Sequence, residues 1–293
     1  VNQADMAMKG RHWDYDNNKP MKKLKDFLEA QVDSIQNRVK EATGISSNNN
    51  GKHHLIKNTG LVTSVFNDKS FEILKGKSAI GHNRYSTAGD DSILDAQPVY
   101  AKYGLGEISI AHNGNLTNAK EIRDALIKKG AIFQTSMDTE NLIHLIAKSS
   151  EDKLIDRITD ALNKIEGAYS LVIQSRKKMF AIRDPYGFRP LALAKLNDGY
   201  MVASETCAFD LVGAEYIRDI KPGEMLVFSG NKEPVSIEFA KPTPKHCIFE
   251  YVYFARPDSQ IFEQNVYKTR KIMGKFLAEE LPIEADVVVP VPD

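Results

Sequence analysis

The sequence predicts an α+β fold in which two groups of short, mostly antiparallel strands carry helices on their faces. Three observations predict it. Residues 44–115 and 168–229 are built of short apolar runs separated by turn residues. Helical patterns with capping signals lie between these two groups. The chain has 293 residues, 42% of them hydrophobic and 27% charged, which is enough to bury a sizeable core.

Residues 1–20 are polar and without period, and are expected to be poorly ordered. Over 21–42, Leu24, Phe27, Leu28, Ile35 and Val39 recur at helical spacing, and Gly44 suits the stop. "SSNNNGKHH" (46–54) reads as a turn or hairpin tip. "LVTSVF" (61–66), "SAIGHNRYS" (78–86) and "ISIAHNG" (108–114) read as strands ending in polar loops. "NLTNAKEIRDALIKKG" (115–130) is a helix capped by Thr117 or Asn118, with Glu121 close behind and Gly130 as its stop. A second helix, "MDTENLIHLIAKS" (137–149), opens at Asp138 or Thr139, and "LIDRITDALNKIEG" (154–167) is a third. Strands return at "AYSLVIQS", "KMFAIRD", "LALAKL", "GYMVAS" and "EMLVFS".

The texture changes near residue 241. "KPTPKH" is a proline-bearing basic linker, followed by "CIFEYVYFARPDS", a helix "NVYKTRKIMGKFLAEELP" and an apolar strand "ADVVVPVPD" (285–293). Such a strand suits a buried parallel sheet, so a second, α/β domain is expected to start here. The boundaries are 1–20, 21–240 for the first domain, and 241–293 for the linker and the incomplete second domain.

Composition narrows the function classes. With 39 basic and 39 acidic residues the formal net charge is zero, so no nucleic-acid partner is expected. No apolar run reaches the length of a membrane span, and the N-terminus has no signal-like apolar region. Two cysteines, Cys207 and Cys247, are too few for a disulfide framework and suggest a cytoplasmic setting. The first residue is Val, so the chain is expected to begin inside a longer frame or after processing.

Seven motifs occur in order: "AIGHNRYSTAG", "AHNGNLTNA", "SMDTENLIHLIA", "GAYSLV", "RDPYGFRPL", "ASETCAFDLVGAEYIRDIKPGEM" and "FEYVYFARPDS". With them the chain resembles the amidophosphoribosyltransferases, glutamine-dependent enzymes that open purine synthesis. The first three are shared by class II glutamine amidotransferases, whereas "RDPYGFRPL" and "EYVYFARPDS" are more particular. The resemblance implies an N-terminal-nucleophile hydrolase fold, a four-layer αββα sandwich that releases ammonia from glutamine. A phosphoribosyltransferase domain would follow, where ammonia displaces pyrophosphate from phosphoribosyl pyrophosphate (PRPP).

It also implies roles for particular residues. L-glutamine presents a carboxylate, an ammonium and an amide. Arg84 would meet the carboxylate, since a guanidinium matches it bidentately, and Thr87 would add a hydroxyl. Asp138 would pair with the ammonium, alongside a blander role as an N-cap. Asn113 and Gly114 would form the oxyanion hole, where losing one donor costs about 3 kcal/mol of transition-state stabilisation. The bland reading of that pair is an Asn-Gly turn. Arg38 is carried over as a further catalytic residue. His82 and His112 are read as structural, hydrogen-bonded beside the strand ends. The family implies Mg²⁺ with PRPP, and in some relatives an iron–sulfur cluster using a cysteine at the place of Cys247. Four thiolates are needed as a rule, so the cluster is not expected here. A homo-oligomer is expected for the full-length protein.

The chain departs from the family at its start. The family opens on a cysteine whose thiol attacks the amide with its own α-amino group as base. Residues 1–33 contain no Cys, Ser or Thr; the first of each are Cys207, Ser34 and Thr43. By spacing the cysteine would fall near Trp13. "QNRVKEATGI" keeps Gln36, Arg38, Glu41, Gly44 and Ile45 of the family frame but sets Asn37, Val39 and Lys40 against it. The glycine-rich PRPP loop is absent. The expected alternative is a catalytically inactive module that binds glutamine or a partner.

Overall fold

Strand pairing sorts the chain into two stacked antiparallel sheets. The computed structural model describes residues 4–9, 42–84, 93–230 and 232–289. The order begins β1 (Ala4–Lys9), β2 (Ala42–Asn49), β3 (Lys52–Thr59), α1 (Val62–Val65), α2 (Asp68–Ile73) and β4 (Ser78–Arg84). It continues with β5 (Val99–Tyr103), β6 (Gly106–Leu116), α3 (Ala119–Lys128), α4 (Thr139–Lys148) and α5 (Leu154–Leu162). Then come β7 (Gly167–Ser175), β8 (Lys178–Arg183), β9 (Ala192–Leu196), β10 (Gly199–Ala203), α6 (Cys207–Val212) and β11 (Glu215–Asp219). The last elements are β12 (Glu224–Ser229), β13 (Val235–Glu238), the short pair β14 (Gln260–Ile261) and β15 (Gln264–Asn265), and α7 (Val266–Glu280). One sheet has the order β11-β9-β10-β1-β4-β2-β3 and the other β13-β12-β8-β7-β6-β5.

Side-chain alternation along each strand distributes residues between two cores. Ile80, Ala111, Val172, Ala181, Val202 and Leu226 meet between the sheets. Their neighbours point the other way: Ile110, Leu171, Ile173 and Phe180 pack under α4 and α5 through Leu142, Ile146, Ile158 and Leu162. On the opposite outer face Ala79, Ala194 and Met201 pack under Val62, Phe66, Phe71 and Phe209. The result is four layers, αββα. Strands buried on both faces explain the nearly unbroken apolar runs.

Several local expectations hold. Asn50 and Gly51, at φ 53° and 93°, turn the β2–β3 hairpin, where left-handed residues match the strand twist. Gly130, at φ 79°, follows α3. Other expectations give way. "LVTSVF" is not a strand: Val62, Val65 and Phe66 stand at i, i+3 and i+4, a helical spacing, and form α1. Residues 4–9 are not without structure, for they form β1. Their pattern carries no strand period, and pairing with both β4 and β10 supplies the ladder instead. Asn118 precedes α3 but does not cap it; its side chain binds Lys164 O and Glu166 N at 3.0 Å each. β5, β11 and β13 are further strands at sheet edges, each paired with one neighbour. The helix expected over 21–42 falls outside the described residues up to 41.

The segment after β13 is fastened to the sandwich. Thr243 N donates to Pro185 O and Lys245 N to Tyr186 O, at 2.9 and 2.7 Å. Residues 250–254 form a single π-type turn and α7 follows. Residues 285–289 are not in a strand, and Val287, Val288 and Val289 are 72–87% exposed. A strand needs a ladder partner, and no described strand pairs with them.

Phe180 is fully buried under the helices of the second sheet. Phe180→Ala is expected to cost about 3–5 kcal/mol, because the cavity does not collapse in a sheet packed on both faces. Urea unfolding followed by circular dichroism checks this.

Candidate active site

The C-terminal end of β4, the end of β6 and the start of α4 converge through a chain of hydrogen bonds. Arg84, 8% exposed, closes β4 and donates from Nη1 to Asp95 O at 3.4 Å. The buried Asp95 carboxylate accepts from Ser136 N at 2.9 Å and from Ser136 Oγ. That fixes the loop leading to Asp138, two residues on. Asp138 Oδ2 accepts from Leu116 N of β6 at 2.9 Å, and its Oδ1 lies 3.3 Å from His112 Nδ1.

The expected side-chain N-cap by Asp138 is not made: no cap hydrogen bond leaves this side chain, which reaches across to β6 instead. Burial works against its charge, but the His112 ring and the Leu116 and Thr139 N–H groups outweigh it and hold the carboxyl at about 2. Asp138 is therefore a carboxylate that keeps acceptor capacity beyond these bonds. An ammonium group is a chemically apt occupant.

Asn113 and Gly114 do not form a turn. Both lie inside β6, opposite Ser170 and Tyr169 of β7. Gly114 has φ 149°, and a Cβ there would lie 2.0 Å from Ala168 O. Glycine is thus required twice, by backbone conformation and by the close approach of β7. Asn113 is 2% exposed, and its Oδ1 accepts from Arg189 Nε at 3.2 Å.

His82 is fully buried, and burial, helped by neighbouring His112 and Arg84, pushes its pKa down to about 3. It is neutral at physiological pH. The backbone of His112 is clasped by Gln97, which accepts from His112 N at 2.7 Å and donates Nε2 to His112 O at 3.1 Å. Both histidines serve the packing of β4, β6 and α4. Thr87 and Arg38 lie outside the described residues.

A second set of buried charges escaped the sequence reading. The Arg183 guanidinium, at the end of β8, donates to Arg189 O, Ile220 O and Gly187 O at 2.7–2.9 Å. The Asp184 carboxylate accepts from Tyr186 N and Tyr169 N at 2.9 and 3.2 Å. Together they shape the "RDPYGFRPL" loop and present Arg189, whose Nη1 lies 2.8 Å from Glu250 Oε1. Burial pushes the Glu250 carboxyl up to about 7 against the pull of Arg189. Glu205, from "ASETCAF", accepts from Arg256 N and Ser259 Oγ of "FARPDS" at 2.9 and 2.8 Å. The signal available in the sequence was only that charged residues sit inside otherwise apolar motifs.

A cavity of about 730 Å³ opens beside Arg189, lined also by Asn115, Tyr169, Tyr186, Phe188 and Cys247. Arg84 and Asp138 are not in its lining. Among the described residues no group of three or more His, Cys, Asp or Glu side chains could hold a metal ion, and no helix is long and apolar enough to cross a membrane. Burial pushes the Cys207 thiol up to about 12.

The Asp138 geometry predicts an acid-sensitive contribution to stability. The carboxyl rises from about 2 to its ordinary 3.8 on unfolding. The stabilisation is therefore complete above about pH 4 and is lost as pH falls through 2. Asp138→Asn is expected to remove about 2 kcal/mol of this acid dependence, measured by urea unfolding at pH 2–5.

Residues 82–210 match the glutamine amidotransferase domain family. The chain is 46% identical over 262 residues to amidophosphoribosyltransferase 1, chloroplastic, of Arabidopsis thaliana, covering 89% of this chain and 46% of that protein. It is 44% identical over 264 residues to the amidophosphoribosyltransferase of Bacillus subtilis (strain 168), covering 89% and 55%. The chain spans about half the length of the curated relatives it matches. Among solved structures it resembles the allosteric regulatory enzyme of purine biosynthesis with a TM-score of 0.88 at 40% identity, over 97% of this chain and 59% of that one. The glutamine PRPP amidotransferase of B. subtilis, complexed with ADP and GMP, gives 0.86 at 39%, over the same shares. The αββα sandwich, the ordered motifs and these likenesses agree: the chain belongs to the amidophosphoribosyltransferase family and carries its glutamine amidotransferase domain.

Proposed function

We propose that this chain is the glutamine-holding portion of an amidophosphoribosyltransferase, which converts glutamine and PRPP into phosphoribosylamine, glutamate and pyrophosphate. The observation that carries it is the linked arrangement of Arg84, Asp95, Ser136, Asp138 and β6, which ties a buried guanidinium, a carboxylate held ionised and the Asn113–Gly114 pair into one unit. Arg84 takes the glutamine carboxylate, Asp138 the α-ammonium, and Asn113 with the Gly114 backbone the side-chain carbonyl. Thr87 adds a hydroxyl at the carboxylate, and Arg38 assists at the amide. Negative charge building on the amide oxygen would then face donors already in place. Mg²⁺ enters with PRPP, in the phosphoribosyl half. The full-length protein is a cytoplasmic homo-oligomer.

A second reading is a module that binds glutamine without cleaving it. One observation favours it: β1 lies between β4 and β10, beside the strand that ends in Arg84, and residues 1–33 contain no Cys, Ser or Thr. Under this reading the pocket orders its ligand without cleaving it.

Calorimetry with L-glutamine separates these readings from no function at all. The chain is expected to bind glutamine, and Arg84→Ala to bind at least tenfold more weakly, through loss of a charge-assisted pair worth about 1.5–3 kcal/mol. Equal affinities would refute the assignment. Ammonia release from glutamine by the purified chain is expected to stay at background; turnover would overturn the non-cleaving reading.

A further inference from the structure

The geometry points to Arg189 as the positioning residue of the oxyanion hole: it fixes which end of the Asn113 amide faces the substrate, and Glu250 holds it there. This rests on the assignment of Asn113 as an oxyanion donor. An asparagine side chain presents an acceptor on one side and two donors on the other, and only the donor side can stabilise an oxyanion. Left to itself, the amide could rotate either end toward a ligand. Arginine carries donors and no acceptor, so the atom 3.2 Å from Arg189 Nε must be the Asn113 carbonyl oxygen. The NH₂ then points away from Arg189, and the ambiguity is removed by chemistry rather than by packing alone.

Arg189 is itself held. Its Nη1 meets Glu250 Oε1 at 2.8 Å, its guanidinium lies 5.1 Å from the Phe254 ring centre, and the side chains of Arg189 and Glu250 are 15% and 2% exposed. A planar fork faces the amide with Nε and the carboxylate with Nη1 from two fixed edges, a geometry that the point charge of an ammonium does not fix. Phe254 and Glu250 belong to the segment after the linker. The donor that would meet the developing charge is thereby set from outside the β6 strand that bears it.

The test reads the amide directly. In the ¹⁵N-labelled chain the Asn113 side-chain NH₂, assigned through Asn113→Ala, is expected as an ordered pair of NMR signals protected from solvent exchange. Arg189→Gln is expected to shift and broaden that pair, and Glu250→Gln to do so more weakly. Arg189→Lys keeps the charge beside Glu250 and is the variant to use should Arg189→Gln not fold; it is expected to restore protection only in part. An Asn113 pair unchanged in a folded Arg189 variant overturns the inference, whether or not the chain binds glutamine. Calorimetry supplies an independent arm with L-glutamine and L-norleucine, which lacks the side-chain carbonyl. Arg189→Gln should weaken glutamine by about five- to tenfold, the worth of one hydrogen bond, and leave norleucine unchanged. Equal loss for both ligands would show Arg189 to be merely structural. Failure of wild type to bind glutamine, with the Asn113 signals still responding to Arg189→Gln, would sink the glutamine assignment and leave the positioning intact.

Discussion

Both sheets must bury both of their faces, and most of the molecule follows from that constraint. A strand in such a sheet has no polar side to give to water, so its polar residues collect where the ladder ends or where a specific partner exists. Arg84 at the end of β4 and Asn113 near the end of β6 stand at such places. Some of those buried inside the stack pair with one another: Ser46 and Ser109 meet across the sheets at 2.8 Å, and His53 Nδ1 joins Ser109 at the same distance. The site is thus less an addition to the fold than the point where its two-sided core runs out.

The same constraint explains why the site is rigid before any ligand arrives. Asp138 is anchored to the backbone of β6, and β6 is locked to β7 by a close approach that Gly114 and Gly167 allow. Asp138 and Asn113 are thereby tied to one strand, the first through Leu116 N and the second as part of it. The cost is an accumulation of desolvated charge, with Asp138, Arg183, Asp184, Glu205 and Glu250 all buried or nearly so. Each persists because backbone N–H or C=O groups, or an opposite charge, satisfy it.

Sequence reasoning captured the architecture and the family, and it singled out Arg84, Asn113, Gly114 and Asp138, which lie at the end of β4, in β6 and at the start of α4. It erred where a local pattern was ambiguous. "LVTSVF" carries helical spacing in a string of β-branched residues, and composition outweighed period in reading it as a strand. "ADMAMK" carries no strand pattern and becomes one because two neighbouring strands leave a slot between them. Asp138 has a residue type and position that suit an N-cap, yet Leu116 N, a partner 22 positions earlier, takes its carboxylate.

By itself the sequence determined the family and the α+β class, because those are matters of motif order and residue pattern. It also showed that residues 1–33 contain no Cys, Ser or Thr. Only the tertiary structure decided what binds the site residues in place. Arg189 and Glu250 lie 76 and 137 positions from Asn113, and Glu205 lies more than 50 from the Arg256 and Ser259 it holds. Hydrogen bonds at such separations leave no periodic trace in a chain. They exist because two sheets and a linker bring distant loops to one buried place, where an unpaired charge would be too costly to keep.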